Sequence, residues 1–366
     1  MSSRIPEILK RLALTLVSLV IGLVLCEGAV RLRQWLRYGT TSGNIYEFVT
    51  DPASGLRMLK PGLRQGGIAT DSRGFRNPEL DTAPRGNHIR LAFLGGSTTF
   101  CGEVSSNAKT WPARVGQELS TLFPGAEFDY VNAGVPGYGL DGCLRMLVHR
   151  IAALRPDVVV IYEATNDLSA DTRELATRQG IFVGKAEEPS WIARRSVGWY
   201  LVEKNIQLWR RQRDAGGGVG RLQFEPTELS AGFRRRLQEI VSVSQGIAPV
   251  VAVATFSHKV RRDQGPALQL HNCGSSLYYM PYMTVDALLA GFDEYNRVIR
   301  EVTAESGALL IEAENEIPGD DAHFFDSVHF TDAGAERMAS RVVAGLSAAP
   351  AFRELVATRS TAPTAR

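Results

Sequence analysis

The chain has 366 residues, enough for one large domain or two ordinary ones, and its 41 Lys+Arg nearly balance its 39 Asp+Glu. A balance that even argues against nucleic acid as a partner. Four cysteines with no CxxC pair give neither a zinc ribbon nor a disulfide scaffold.

The first element is apolar. LALTLVSLVIGLVLC (Leu12–Cys26) carries no charge, with Arg4, Lys10 and Arg11 before it and Arg31, Arg33 and Arg37 after it. A membrane span usually needs ~20 residues, and reaching that length here takes in Glu27. A basic start and a short apolar core also suit a cleaved signal peptide. No small-x-small site precedes a polar mature sequence, however, and the helical pattern continues through AVRLRQWLRY. A leucine before Cys26 is a poor match to a lipoprotein signal. The expectation is an uncleaved transmembrane helix within residues 1–38, with basic flanks too even to set its orientation.

Residues 39–86 (DPASGLRMLKPG, DSRGFRNPEL) are rich in Gly, Pro, Asp and Arg and read as an extended linker. Strands and helices then alternate. Strands are expected at His88–Leu94, Phe128–Ala133, Asp157–Tyr162, Pro249–Phe256 and Ala308–Ala313. Helices are expected at Trp111–Phe123, Leu140–Leu154, Ser230–Ser244, Val285–Ser306 and Asp332–Ser347. Short apolar strands between amphipathic helices predict an α/β domain, residues 87–348, whose parallel sheet is covered on both faces. Residues 168–229 interrupt the rhythm. There Trp199, Val202, Ile206 and Trp209 recur at helical spacing among Arg194, Arg195, Lys204, Arg210, Arg211 and Arg213, and GGGVG at 216–220 supplies a flexible joint. This insertion reads as an extra packed helix, a lid or a membrane-facing helix. Residues 349–366 read as a flexible tail.

In such sheets ligands bind beyond the carboxyl ends of the strands. The first strand runs into LAFLGGSTTF and ends at Gly95-Gly96-Ser97. The second ends in NAGVPGYG, where Gly134, Gly137 and Gly139 leave amides uncovered. The third ends at Asn166-Asp167. The last leads to HFFDSVHF, with Asp326 and His329 three apart and able to face the same way. Together these are the parts of an acyl-transfer site: a nucleophile, oxyanion donors, a base and a carboxylate to orient it. Blander readings stand beside this one. Ser97 alone suits a helix N-cap, and Asp326 with His329 suits a structural pair. Asp320, Asp321, His323, Asp326 and His329 can be read as metal ligands, but no second cluster sits at another strand end, so neither metal nor cofactor is expected. His258 suits a substrate contact or a surface position, while His271 and Cys273 fall in an apparent loop. Cys101 and Cys143 follow the first two strands and are either a pair or free thiols.

The order Gly-x-Ser, a Gly-rich turn after Asn132, x-x-Asn166-Asp167, then Asp326-x-x-His329 resembles the SGNH (GDSL-type) hydrolases across residues 87–348. With the apolar N-terminus and DSRGFR ahead of the serine, it resembles membrane-anchored bacterial members. The resemblance implies a flavodoxin-like three-layer α/β/α sandwich with a five-stranded parallel sheet. It implies Ser97 as nucleophile, His329 as base and Asp326 as its orienting carboxylate, with the Ser97 amide, the Gly137 amide and the Asn166 side chain as oxyanion donors. The function implied is a serine esterase cleaving O-acyl esters, O-acetyl on a glycan foremost, through an acyl-Ser97 intermediate. An O-acyltransferase modifying an exported polysaccharide and a non-catalytic binding or assembly component are the alternatives. The location implied is the inner membrane, with the domain on the periplasmic side. Two positions depart from the pattern: Gly-Gly-Ser replaces Gly-Asp-Ser, and Ala164 replaces the glycine of Gly-x-Asn-Asp. No glycine follows two residues after Ser97, so the Gly-x-Ser-x-Gly elbow is absent.

Overall fold

The stretches VVVIY and VVAVA contain no polar residue, so a strand made of either must be covered on both faces. Both lie inside one five-stranded parallel sheet. The structure, a computed structural model, describes residues 4–38, 46–80, 86–181, 189–216 and 222–360. It opens with α1 (Arg4–Tyr38) and two small antiparallel hairpins, β1 (Phe48–Thr50) with β2 (Arg57–Leu59) and β3 (Arg64–Gln65) with β4 (Ile68–Ala69). The first sheet strand, β5 (His88–Gly95), runs directly into the four-residue helix α2 (Ser97–Phe100). There follow α3 (Trp111–Leu122), β6 (Glu127–Asn132), α4 (Leu140–Met146), β7 (Val158–Tyr162), α5 (Thr165–Arg178), α6 (Val197–Gly216) and α7 (Pro226–Gln245). The chain ends through β8 (Val250–Ala254), α8 (Pro266–Asn272), α9 (Gly274–Tyr279), α10 (Val285–Ser306), β9 (Leu309–Ile311), α11 (Asp332–Ala348) and α12 (Pro350–Ser360).

The sheet order is β6-β5-β7-β8-β9. Successive strands therefore leave β5 in opposite directions, β6 on one side and β7 on the other, which opens a crevice at its carboxyl end. Ser97 stands at that point. Beneath it Phe93, Trp111 and Tyr162 pack edge to face, with ring centroids 5.0 Å and 5.9 Å apart. Trp111 Nε1 also donates to Thr98 O at 3.1 Å, fixing α2 to the core. Tyr162 stacks on Phe256 and on Phe330, the neighbour of His329.

Three expectations need correction. Residues 46–80 are not a bare linker: Leu56, Leu59 and Phe75 are buried, and Arg76 is wholly enclosed. Its guanidinium donates to Phe100 O and Cys101 O at the end of α2, to Gly67 O at 3.0 Å and to Asn107 Oδ1 at 2.9 Å. Hairpin strands of two or three residues are too short to display alternation, which hid them in the sequence. The tail is helical through Ser360, because Phe352 and Val356 find the core. The expected helix Leu140–Leu154 is interrupted by a π turn at Leu147–Ile151 and ends at Arg155 with φ +52°. Helix α5 was not anticipated; its sequence is polar and it buries little beyond Asp167, Leu168, Thr172 and Ala176. Of the GGGVG joint, Gly216 ends α6 and residues 217–220 lie outside the described residues, as do the last residues, 361–366.

Within α1, Glu7–Leu36 is long and apolar enough to cross a membrane, and its most apolar stretch is not buried by the rest of the protein. Length and composition suit a membrane span or a signal sequence alike.

Replacing Arg76 by Met leaves buried carbonyls at the end of α2 without a donor. The variant is expected to lose about 3 kcal/mol of stability. Urea unfolding of the full chain in detergent, compared with an exposed Arg178→Met control, checks this.

Candidate active site

Two glycines precede Ser97, and the structure gives each a reason. A Cβ on Gly95 would lie 2.3 Å from Tyr162 O, and one on Gly96 would lie 2.4 Å from Asn166 Nδ2 and 2.6 Å from Glu163 Oε2. The strand end therefore passes close against β7 and the start of α5, which a side chain would prevent. Gly96 is the N-cap of α2, and Ser97 is its first helical residue. The N-cap reading of Ser97 is thus overturned: its hydroxyl is left for another partner. Cys101 closes α2 in the left-handed region, φ +60°, held by Cys101 N donating to Ser97 O at 2.8 Å. Such backbone outliers gather where geometry matters more than ease.

That other partner is His329. Ser97 Oγ and His329 Nε2 are 2.7 Å apart, and His329 Nδ1 lies 2.9 Å from Asp326 Oδ2. Asp326 and His329, three residues apart, do face the same way, and the element that aligns them is a turn. Asp326 Oδ1 accepts from Val328 N at 3.0 Å and His329 N at 2.9 Å, so the carboxylate folds the turn around itself. Phe325 N donates to His329 O, and Phe324 pairs with Phe330 to close the base. Ser327, at the tip, is clipped to α9: it accepts from Ser275 N and Ser276 N, and its own amide donates to Ser275 Oγ.

The third face comes from the Gly137 turn and Asn166. Gly137 has φ +86°, a conformation that favours glycine. Asn166 Nδ2 donates to Tyr138 O at 2.8 Å, drawing this turn against α5. Arg57 of β2 donates to Pro136 O at 2.5 Å, and Tyr138 Oη donates back to Arg57 O. The hairpin segment therefore braces the turn. Asp167 is buried and joins α5 to its neighbours, accepting from Leu140 N at 2.9 Å and Arg236 Nε at 2.8 Å. Burial raises its carboxyl to about 6 despite Arg236.

Two carboxyl groups that sequence reasoning missed face this centre. Glu163 follows β7 and accepts from Gly96 N at 2.9 Å and Asn166 N at 2.8 Å, with Asn166 Nδ2 at 3.4 Å. Its carboxyl fills the space a side chain at 96 would need. The acidic group absent from Gly-Gly-Ser is thus replaced by one arriving from the next strand. Burial first, and Asp167 second, push Glu163 up to about 8, so much of it is neutral near pH 7. Glu103 lies in the loop after α2, with Oε2 buried and without a hydrogen-bond partner among the described residues. Burial raises its carboxyl, while His329 lowers it. It lines a cavity of about 340 Å³ with Ile68, Val104, Phe325 and Asp332.

These charges set the imidazole. Burial opposes a cationic His329, but Asp326 first, then Glu103 and, where it is ionised, Glu163 outweigh it and raise the ring above its ordinary range. Asp326, despite burial, is held below the usual carboxylate range by His329 and two amides. With Nδ1–H directed at Asp326, the ring presents Nε2 to Ser97, and Nε2 offers a lone pair once its proton has left, on the alkaline side of the ordinary imidazole range. The cluster can move a proton from a serine hydroxyl to an imidazole and back.

Other candidates separate from the centre. His258 is buried, stacked on Phe292 and kept neutral by burial and Arg261, which lower it to about 3. Asp320 pairs with His323 and Asp321 with Lys259, and among the described residues no His/Cys/Asp/Glu group could hold a metal ion. Cys101 and Cys143 are buried free thiols, and Cys273 joins α8 to α9 rather than lying in a loop.

Comparison with known proteins gives one family. The model of the GDSL-like lipase/acylhydrolase family matches residues 93–337. No curated protein matches the chain. Among solved structures, the chain is similar to the acetylxylan esterase Axe2 from Geobacillus stearothermophilus, with 17% identity and a TM-score of 0.42 over 70% of this chain and 93% of that one. It is also similar to a lipase/acylhydrolase from Enterococcus faecalis, with 17% identity and a TM-score of 0.43 over 76% and 99%. A third is LAE5, an α/β hydrolase enzyme from the metagenome of Lake Arreo, Spain, with 15% identity and a TM-score of 0.42 over 70% and 94%.

The electrostatics give a titration to measure. The His329 ring is expected to lose its proton well above the ~6.5 of a free imidazole. Glu103→Gln removes one of the charges holding that proton, so it should move the midpoint to lower pH. NMR of the ring protons reads both, and an unshifted midpoint in the variant would mean that Glu103 carries no charge beside His329.

Proposed function

Because the chain belongs to the GDSL-like lipase/acylhydrolase family and is a hydrolase of ester bonds, we propose that Ser97 is its nucleophile, His329 its base and Asp326 the orienting carboxylate. The observation that carries this reading is the unbroken chain of short contacts, Ser97 Oγ to His329 Nε2 at 2.7 Å and Nδ1 to Asp326 at 2.9 Å. As Ser97 Oγ attacks the ester carbonyl, Nε2 takes its proton, and Asp326 stabilises the imidazolium that forms. The Ser97 amide, the Gly137 amide and Asn166 Nδ2 receive the oxyanion. Nε2 then gives the proton to the departing alkoxide, leaving acyl-Ser97. A water enters, gives its proton to Nε2 and attacks the acyl carbon; the proton returns to Ser97 as the acid leaves.

Glu163 acts as a positioning residue through Gly96 and Asn166. In its neutral form it spares the oxyanion a negative neighbour. The acyl group is short, acetyl in the first place, as the resemblance to SGNH hydrolases implies. The alcohol is polyhydroxylated, a glycan of the cell envelope, in keeping with the resemblance to anchored bacterial members. Helix α1 is an uncleaved anchor in the inner membrane, and the α/β domain at 87–348 works on the extracytoplasmic side.

A series of p-nitrophenyl esters and acetylated oligosaccharides tests this. Acetyl esters should be cleaved faster than octanoyl esters, and acetate release should vanish in Ser97→Ala; a preference for octanoate would contradict the short acyl group. Asn166→Ala is expected to lower kcat by ~10²–10³ with KM little changed. Steady-state kinetics on p-nitrophenyl acetate reads that split.

A further inference from the structure

Helix α6 leaves an apolar stripe uncovered. Trp199, Val202, Ile206 and Trp209 recur along it at helical spacing and all are exposed, Trp209 to 60%. Trp191 and Ile192, in the turn leading to the helix, are exposed too. Basic residues flank them along the chain, Arg194, Arg195, Lys204, Arg210 and Arg213, with Glu203 among them. Glu203 is engaged by Ser190 and by Trp199 Nε1 at 2.6 Å. The guanidinium of Arg195 lies 4.5 Å over the Trp191 ring, and that of Arg213 lies 5.2 Å over Trp209. Aromatic rings beside basic side chains suit the boundary between acyl chains and anionic headgroups.

The start of α6 is fastened to α1. Glu27 accepts from Val197 N and Gly198 N, each at 2.9 Å, and from Ser196 Oγ at 2.7 Å. Arg31 completes the joint, with Nε 2.7 Å from Glu27 and Nη2 donating to Arg195 O at 2.9 Å. The carboxylate thus satisfies free amides of the first turn of α6 and complements its dipole. It also follows directly on the uncharged run that ends at Cys26, so α6 begins at the level where a spanning α1 would emerge.

We propose that α6 lies in the interface of the bilayer that α1 crosses, with its Trp/Ile stripe at the acyl boundary and its basic residues on anionic headgroups. This rests on the reading of α1 as an uncleaved anchor. The surface is continuous with the active site: α6 packs along α9, and α9 holds the Asp326–His329 turn through Ser275 and Ser276. The esterase centre therefore works at a fixed height beside the membrane surface.

Tryptophan quenching by brominated lipid tests it, using the full chain in nanodiscs of phosphatidylcholine and phosphatidylglycerol. A variant with Trp35, Trp191 and Trp199 changed to Phe keeps Trp209 and the fully buried Trp111. Adding Trp209→Phe leaves Trp111 as the baseline. A third variant, with Trp191, Trp199 and Trp209 changed to Phe, keeps Trp35 of α1 as the report on the anchor. Lipids brominated high on the acyl chain should remove about half of the emission due to Trp209 and leave the baseline untouched. Quenching of Trp35 but not of Trp209 would overturn the proposal and leave the anchor standing. Failure of both would overturn the anchor as well. Trp209 unquenched by lipid yet shielded from aqueous acrylamide would also overturn it, and would place a second copy of the chain on α6.

Discussion

The hydrogen bond between Ser97 Oγ and His329 Nε2 spans almost the whole α/β domain in sequence, and nothing local can create it. Each partner sits on a short piece of chain: a four-residue helix at one end, a turn wrapped on its own carboxylate at the other. Their separation is set by what braces those pieces. Trp111 and Arg76 hold α2 from below and behind, and Ser275, Ser276 and the Phe324–Phe330 pair hold the turn. Asp332 links the two sides directly, taking Ser105 N at 2.8 Å and Ser105 Oγ at 2.6 Å. The catalytic role proposed for this contact requires such a shell, because a small displacement costs large factors in rate.

The crowding of carboxyl groups at the centre has a consistent physical logic. Asp326 is ionised and saturated with donors, so it can orient and stabilise an imidazolium. Glu163 is buried and leans towards its neutral form, which lets it sit behind Gly96 and Asn166. Glu103 is raised by burial and lowered by the charge of His329, with its buried Oε2 unpartnered among the described residues. Three environments thus separate the behaviour of three chemically similar groups. The same economy appears at α1, where Glu27 is tolerated in an apolar helix because amides of α6 and Arg31 surround it.

Much of the fold was legible because apolar strands such as VVVIY and VVAVA permit few alternatives, and the strand ends then name the residues that must converge. Ser97 and Asn166 stood out since each begins the segment after a strand, and Asp326 and His329 since they stand three apart between the last strand and the last predicted helix. What the sequence concealed falls into one class: side chains whose partners are backbone groups far along the chain. Arg57 on Pro136, Arg76 on Phe100 and Glu163 on Gly96 form no motif, for a carbonyl or an amide leaves no mark in the sequence. Glu163 did leave an indirect trace, because a glycine at 96 implies that something else occupies its space. Residues 46–80 and 350–360 were misread for a related reason, since short or polar elements gain their order from tertiary contacts rather than from their own pattern.

The most direct test of the account is covalent. The full chain in detergent, treated with a fluorophosphonate and digested for peptide mass spectrometry, should carry the phosphonyl group on Ser97. His329→Ala, equally well folded, should carry almost none, since the neutral imidazole is what makes Oγ a nucleophile. Labelling that persists in His329→Ala, or a folded chain that takes up no label at Ser97, would contradict the claim that the Ser97–His329 contact is the working part of this protein.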